Sequence, residues 1–221
     1  EHFRTPYAFA PGLHSDGCNR CEGVLATGEL VCGRLEVRMY ALRGISDFQS
    51  EYFGENIIPE LNQLKMEKDP EHHHKDVYEH TLVVIDTVSA TLPLRLAGLL
   101  HDIAKPITKG IDGDKVHFRH HEIVGGKMTK KIMENLRYDK ALINKVMRLV
   151  ELHLRPHTFK MGWTDSAVRR YIVDASNEIE ELNELVRSDV TTGNTRKREE
   201  IYGYLDNLQE RILEVTKKEE V

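Results

Sequence analysis

A histidine and an aspartate stand side by side in an almost wholly apolar stretch of this 221-residue sequence, Leu99-Leu100-His101-Asp102-Ile103-Ala104-Lys105-Pro106. From Leu96 to Ala104 nearly every other residue is apolar, so a helix here is buried almost all round. A carboxylate in such surroundings is penalised by several kcal/mol unless it is salt-bridged, richly hydrogen-bonded or bound to a cation. Ala97 and Gly98, one turn earlier, are small enough to leave open the surface that His101 and Asp102 share, which makes room for an ion. Adjacent helical residues point about 100° apart. The two can therefore hold one ion only if it lies between them and further ligands arrive from other elements.

The sequence supplies such groups. His80 falls on the stripe of Val77, Val84 and Val88, and His153 continues that of Leu142, Val146, Leu149 and Val150. His121 begins a stripe through Val124, Gly125, Met128 and Ile132, and Asp189 ends one through Ile179, Leu182, Leu185 and Val186. Each stands where the helical period calls for an apolar side chain. Taken singly, such a histidine is more often a satisfied core residue, and Asp189 could simply pair with a neighbouring arginine. Several helices turning imidazoles and carboxylates into one core point instead to a shared cation. His80, His101, Asp102 and Asp189 offer two imidazoles and two carboxylates, a hard, mixed N/O set suited to Mn, Fe, Co, Ni or Mg rather than to a structural zinc. Four ligands leave positions for water and substrate. His121 and His153 could extend the site to a second ion or grip a phosphate, and Lys105, one turn beyond His101, could bring positive charge to a phosphoryl oxygen.

The elements that must position these groups read as helices in series: 76–90 with Asp76 as N-cap, 93–104 stopped by Pro106, 121–136, 140–154, 165–175, 178–190 and 196–217. Lys115-Val116-His117-Phe118 after Asp112-Gly113-Asp114 predicts a small hairpin. The last helix carries Ile201, Tyr204, Leu205, Leu208, Ile212 and Val215 at roughly heptad spacing, a pattern read as packing on the bundle ahead of dimerisation. Residues 1–44 differ in character, with six of the 15 glycines and all three cysteines. Val24-Leu25 and Leu30-Val31 read as a hairpin, followed by a third strand over 35–39. Cys18, Cys21 and Cys32 with His14 are compatible with a small structural zinc knuckle. The expected division is an N-terminal extension over 1–44, a linker and entry helix over 45–75, the helical domain over 76–195 and a C-terminal helix over 196–221.

With 31 basic and 36 acidic side chains and a pI near 6.2, overall charge does not favour nucleic acid, so any such binding must use a local patch. No apolar run is long enough to span a bilayer and no basic-apolar leader is found, from which a cytoplasmic protein without a membrane partner is expected. Three cysteines, an odd number, fit poorly with a disulfide framework.

The order His80, His101-Asp102, Asp189 resembles the H…HD…D signature of the HD-domain metal-dependent phosphohydrolases. Lys75-Asp-Val-Tyr-Glu-His-Thr-Leu82, Leu99 to Pro106, His120-His-Glu-Ile-Val-Gly125, Val150-Glu-Leu-His-Leu154, Trp163 to Arg170 and Ser188-Asp-Val-Thr-Thr192 are similar to the C-terminal HD region of bacterial CCA-adding tRNA nucleotidyltransferases. The likeness runs from about Ile57 to the C-terminus. It implies an all-α fold, an HD-domain helical bundle with a small β-hairpin insertion and a short, partly β N-terminal extension. It also implies one divalent ion, or a pair, held by His80, His101, Asp102 and Asp189. The chemistry implied is hydrolysis of a phosphoester on a nucleotide or RNA phosphate end, 2',3'-cyclic phosphates included, with the ion acidifying water. Asp102 and Lys105 would be catalytic, and Lys105, His121 and His153 would bind the phosphate or protonate the leaving oxygen. The Gly-Ser loop and paired aspartates of a nucleotidyltransferase head are not found in residues 1–56, so nucleotide addition is not expected of this sequence.

A second reading is a tRNA-binding tail or fragment of such an enzyme, with a structural HD site. Lys127, Lys130, Lys131, Arg137, Lys140 and Lys145, then Arg169, Arg170, Arg196, Lys197 and Arg198, are clustered enough to contact a tRNA backbone. The interleaved Glu134 and Asp139 favour an ordinary solvated face.

Overall fold

The computed structural model describes residues 23–24, 30–31, 57–65, 76–113 and 115–219. Among these, two-residue strands β1 (Gly23–Val24) and β2 (Leu30–Val31) pair antiparallel, where the sequence predicts the first hairpin. The further strand at 35–39 and the zinc knuckle of His14, Cys18, Cys21 and Cys32 lie outside the described residues.

The rest is helical. In order come α1 (Glu60–Leu64), α2 (Val77–Thr87), α3 (Leu92–Leu100), α4 (Lys105–Thr108), α5 (His121–Asn135), α6 (Lys140–Leu152), α7 (Asp165–Ala175), α8 (Ile179–Asp189) and α9 (Thr195–Glu219). A hairpin of β3 (Lys109–Asp112) and β4 (Lys115–Phe118) sits between α4 and α5, with Lys109 opposite Phe118 and Asp112 opposite Lys115. Gly113 turns it with φ +61°, a conformation that favours glycine. The architecture is an all-α bundle carrying one small hairpin.

Local chemistry sets the helix starts. The Asp76 carboxylate accepts from the Glu79 amide at 2.6 Å, Asp139 from Leu142 at 2.9 Å and the Thr164 hydroxyl from Ala167 at 3.3 Å. Each satisfies an amide the helix cannot pair internally. The most buried element is α3, whose Leu94, Leu96, Ala97, Leu99 and Leu100 are all enclosed, as its apolar run requires. Each such leucine contributes about 1.5–3 kcal/mol of transfer free energy. Along α9 the heptad-spaced Leu205, Leu208, Ile212 and Val215 are buried against the rest of the chain.

Two expectations are corrected here. Pro106 does not stop the second predicted helix: α3 ends at Leu100, residues 101–104 form turns, and Pro106 is the second residue of α4. A proline in a first helical turn gives up no backbone bond, so it starts a helix as readily as it ends one. The space beside Ala97 and Gly98 is also not open. Gly98 lies against α2, where an added Cβ would stand 3.5 Å from Val84 and 3.6 Å from Ile85, and Ala97 is wholly buried.

Candidate metal centre

The polar residues of the inward stripes converge because they sit at helix ends. His101 is the C-cap of α3 and Asp102 follows it; His153 is the C-cap of α6, and Asp189 closes α8. His121 opens α5, entered through His120 at a left-handed φ of 62°, and His80 lies in the first turns of α2. Three helix C-termini thus point at one place, and the negative ends of their dipoles favour a cation there.

The distances make one cluster. His80 Nε2 lies 3.1 Å from His101 Nε2, 2.8 Å from Asp189 Oδ1 and 3.6 Å from Asp102 Oδ2. His101 Nε2 is 3.3 Å from Asp102 Oδ2 and 3.5 Å from Asp189 Oδ1. On the other side of Asp102, His121 Nε2 stands 3.2 Å from Oδ1 and Lys105 Nζ 2.9 Å from Oδ2. His153 is packed edge-on against His101 and tilted against His121, with ring centroids 5.4 and 5.3 Å away. Two donor sets result, His80, His101 and Asp189 on one side and Asp102, His121 and His153 on the other, each with its donor atoms within 4.8 Å of one another. Asp102 touches both.

The imidazoles are held in one orientation from behind. Nδ1 of His101, His121 and His153 faces the carbonyl oxygens of Gly98, Phe118 and Val150 at 2.8, 2.7 and 2.6 Å. A carbonyl only accepts, so each Nδ1 carries the hydrogen and each neutral ring turns a bare Nε2 lone pair inward. His80 differs, because its Nδ1 is held by the Thr191 hydroxyl at 2.9 Å. Such backing bonds fix tautomer and ring orientation in metal-ligating histidines.

The electrostatics also suit a cation. Burial would raise the Asp102 carboxyl, but His101 and Lys105 hold it well below the usual carboxylate range. Burial would do the same to Asp189, which His101 and His80 hold low by hydrogen bonding. Burial opposes charge on His101, yet the carboxylates of Asp102 and Asp189 push it up to about 10. A proton on His101 thus stands in for positive charge between two carboxylates. Burial, joined by the charge on His101, pushes His153 down to about 3, leaving a neutral ring. Among the described residues His121 Nε2 and His153 Nε2 are buried without a hydrogen-bond donor, while Asp102 Oδ2 has the Lys105 ammonium beside it, and buried acceptors facing one point suit a cation. The donor set therefore fits a divalent ion bound through nitrogen and oxygen.

All seven residues singled out by sequence, His80, His101, Asp102, Lys105, His121, His153 and Asp189, are brought together. Two neighbours escaped that reading. His157 Nε2 is 3.9 Å from Asp189 Oδ2, and burial lowers its pKa. The other is Thr191, behind His80. Its only sequence signal is its place two residues beyond Asp189; His157 is one turn past His153. The cluster forms the floor of a cavity of about 450 Å³, within the usual range for small-ligand sites. Its upper walls include Phe118, Lys160, Lys197, Ile201 and Tyr204.

Of the basic residues expected to offer a patch, Lys145 is paired with Glu181, and Lys130 stands 3.9 Å from Glu134. Among the described residues no helix is long and apolar enough to cross a membrane.

The chain is 28% identical over 156 residues to the A-adding tRNA nucleotidyltransferase of Deinococcus radiodurans, covering 67% of this chain and 35% of the relative. It is 30% identical over 140 residues to the CC-adding tRNA nucleotidyltransferase of Thermus thermophilus, covering 59% of this chain and 31% of the relative. The chain thus spans about a third of the length of each. The family model described as HD domain matches residues 77–188, just over half of the chain and the span from the start of α2 to the residue before Asp189. This chain belongs to the HD domain family.

Proposed function

We propose that this chain is a metal-dependent phosphohydrolase or phosphodiesterase acting on a phosphoester of a nucleotide or an RNA end. The observation that supports it most is the pair of donor sets that meet at Asp102 on the floor of one cavity. His80, His101, Asp102 and Asp189 would hold a first divalent ion, and Asp102 with His121 and His153 offers a place for a second. A divalent ion in such a site acidifies water and offsets charge developing on phosphoryl oxygens.

The remaining work falls to this chain's own groups. Lys105 keeps its ammonium against Asp102 in a buried position and offers that charge to a phosphoryl oxygen entering the cavity. With a single ion bound, His121, its Nδ1 committed to Phe118, would exchange a proton through Nε2 and serve the leaving oxygen; with a second ion bound it would be a ligand instead. Enclosure of His101 and Asp102 keeps bulk water from competing for their charge.

The test is hydrolysis by purified chain loaded with Mn, Ni, Co or Mg, using adenosine 2',3'-cyclic phosphate and p-nitrophenyl phosphate. Metal-dependent release of product supports the reading; an inert, metal-free protein overturns it. The names of the relatives favour one other reading, in which this domain serves a tRNA-handling enzyme without hydrolysing anything. Salt-dependent tRNA binding with no phosphate release would choose it.

A further inference from the structure

One face of the last helix is used twice. Leu205, Leu208, Ile212 and Val215 bury α9 against the bundle. Toward its N-terminal end, Lys197, Ile201 and Tyr204 recur at i, i+4 and i+7, which places them on one stripe, and all three line the cavity over the metal cluster. The stripe reads cation, aliphatic, aromatic in order along the helix. Lys160, from the 3-10 segment Arg155–Met161, lines the same cavity. Among the described residues neither Lys160 nor Lys197 has an ion-pair partner, whereas Lys105 on the floor is held by Asp102. Tyr204 is tied to the floor: its hydroxyl lies 3.5 Å from His157 Nδ1, and His157 Nε2 faces Asp189. On the hairpin side Phe118 adds a second aromatic wall.

A small phosphoester would need only the floor. Lys160 and Lys197, exposed on the wall of this cavity and without an ion-pair partner among the described residues, together with Ile201, Tyr204 and the buried cluster, match a ligand with three parts: an ester at the cluster, a flat or apolar part, and a second anion. We infer that the α9 stripe and Lys160 form a specificity subsite for a nucleoside whose scissile ester is on its 2'/3' side and whose 5' side carries a second phosphate. Tyr204 and Ile201 take the nucleoside, and Lys160 and Lys197 take the 5' phosphate. That phosphate can be a free 5'-monophosphate or the linkage to a preceding nucleotide, since both present the same anion. This inference rests on the proposed hydrolysis for its orientation of the substrate.

The experiment compares kcat/KM of the manganese-loaded chain on adenosine 2',3'-cyclic phosphate, its 5'-phosphorylated form, and a dinucleotide with the same cyclic end. The nucleoside is common to all three substrates, so the preference comes from the two exposed ion pairs with the 5' phosphate, at most about tenfold together. The wild type is expected to favour both 5'-substituted substrates by about that factor, and K160Q/K197Q to reduce the preference to less than about twofold. Equal kcat/KM for all three in the wild type overturns the inference, as does a preference that survives the double variant. Preference for the dinucleotide over the free 5'-phosphate supports it with an RNA end as the source, and the reverse order supports it with a mononucleotide. Should no ester be hydrolysed, the proposed function fails and calorimetry decides the subsite. Adenosine 3',5'-bisphosphate binding about tenfold tighter than 3'-AMP to the manganese-loaded protein then supports it, and equal binding overturns it.

Discussion

Replacing Thr191 by valine removes one hydroxyl and keeps the shape. In the structure that hydroxyl faces His80 Nδ1 at 2.9 Å, whereas His101, His121 and His153 are backed by main-chain carbonyls that no substitution removes. To turn an Nε2 lone pair toward a bound ion, His80 must carry its hydrogen on Nδ1, and the Thr191 hydroxyl, which can accept that hydrogen, supports this tautomer. In the ion-free protein an Nε2 hydrogen donates to Asp189 Oδ1 at 2.8 Å, and without the Thr191 acceptor that competing form, which blocks a ligand position, is harder for the ion to displace. Partners of this kind typically affect metal affinity by about 10–100-fold. A net hydrogen bond of about 1.5 kcal/mol corresponds to roughly tenfold, so the expectation is a tenfold weaker manganese affinity with little loss of fold. The assay is competition against a fluorescent chelator, with thermal melting of the ion-free protein as the control for folding. T191S should recover most of the affinity. An affinity within twofold of wild type in T191V would refute the claim that His80 ligates through Nε2.

Other outcomes follow from the same geometry. D102N keeps the volume of the residue shared by both donor sets and removes its charge; hydrolysis should fall by at least about 100-fold while the helical circular dichroism is retained, and activity near wild type would contradict the site. Stability of the ion-free protein should fall as pH drops from 6.5 toward 3, because His153, held down to about 3 in the fold and near 6.5 unfolded, lets the unfolded chain bind the extra proton. His101, raised to about 10, contributes in the opposite sense: its stabilisation is complete below pH 6.5 and is lost as pH rises through 10. Urea titrations across pH 4–10 should therefore show decline on both sides, and a flat profile would count against the buried cluster. Tyr171 is fully enclosed, and among the described residues its hydroxyl has no hydrogen-bond partner. Y171F should stabilise the protein by about 1 kcal/mol, or roughly 2–4 °C in Tm, and a clear loss would mean the hydroxyl is satisfied in solution.

The convergence of the histidines and carboxylates was legible because of periodicity. His80, His121, His153 and Asp189 each replace an apolar residue on a helical stripe, and a stripe dictates inward placement whatever the tertiary detail. The cap Asp76 and the hairpin around Gly113 were legible from turn and cap chemistry in the same way. Pro106 was misread because the first turn and the end of a helix tolerate the same residue. His157 was missed because Pro156 marks the end of the periodic pattern, and the 3-10 segment that carries it has no 3.6-residue stripe to reveal its direction. Thr191 has no signal of its own, since a hydroxyl in a loop becomes a positioning group only when another element brings an imidazole to it. Periodicity places a side chain on a face but not beside a given partner. Lys197 and Tyr204 show this best: one read as part of a basic run, the other as part of a heptad, and only the cavity puts them on one wall.

The central claim is that helix ends gather imidazoles and carboxylates around a divalent ion. Its most direct measurement is the metal content of the purified chain and of D102N by plasma emission, after incubation with manganese and gel filtration. The expected result is one to two equivalents in the wild type and a large loss in the folded variant. A wild type that emerges folded and without metal, or a D102N that keeps its full complement, would contradict it.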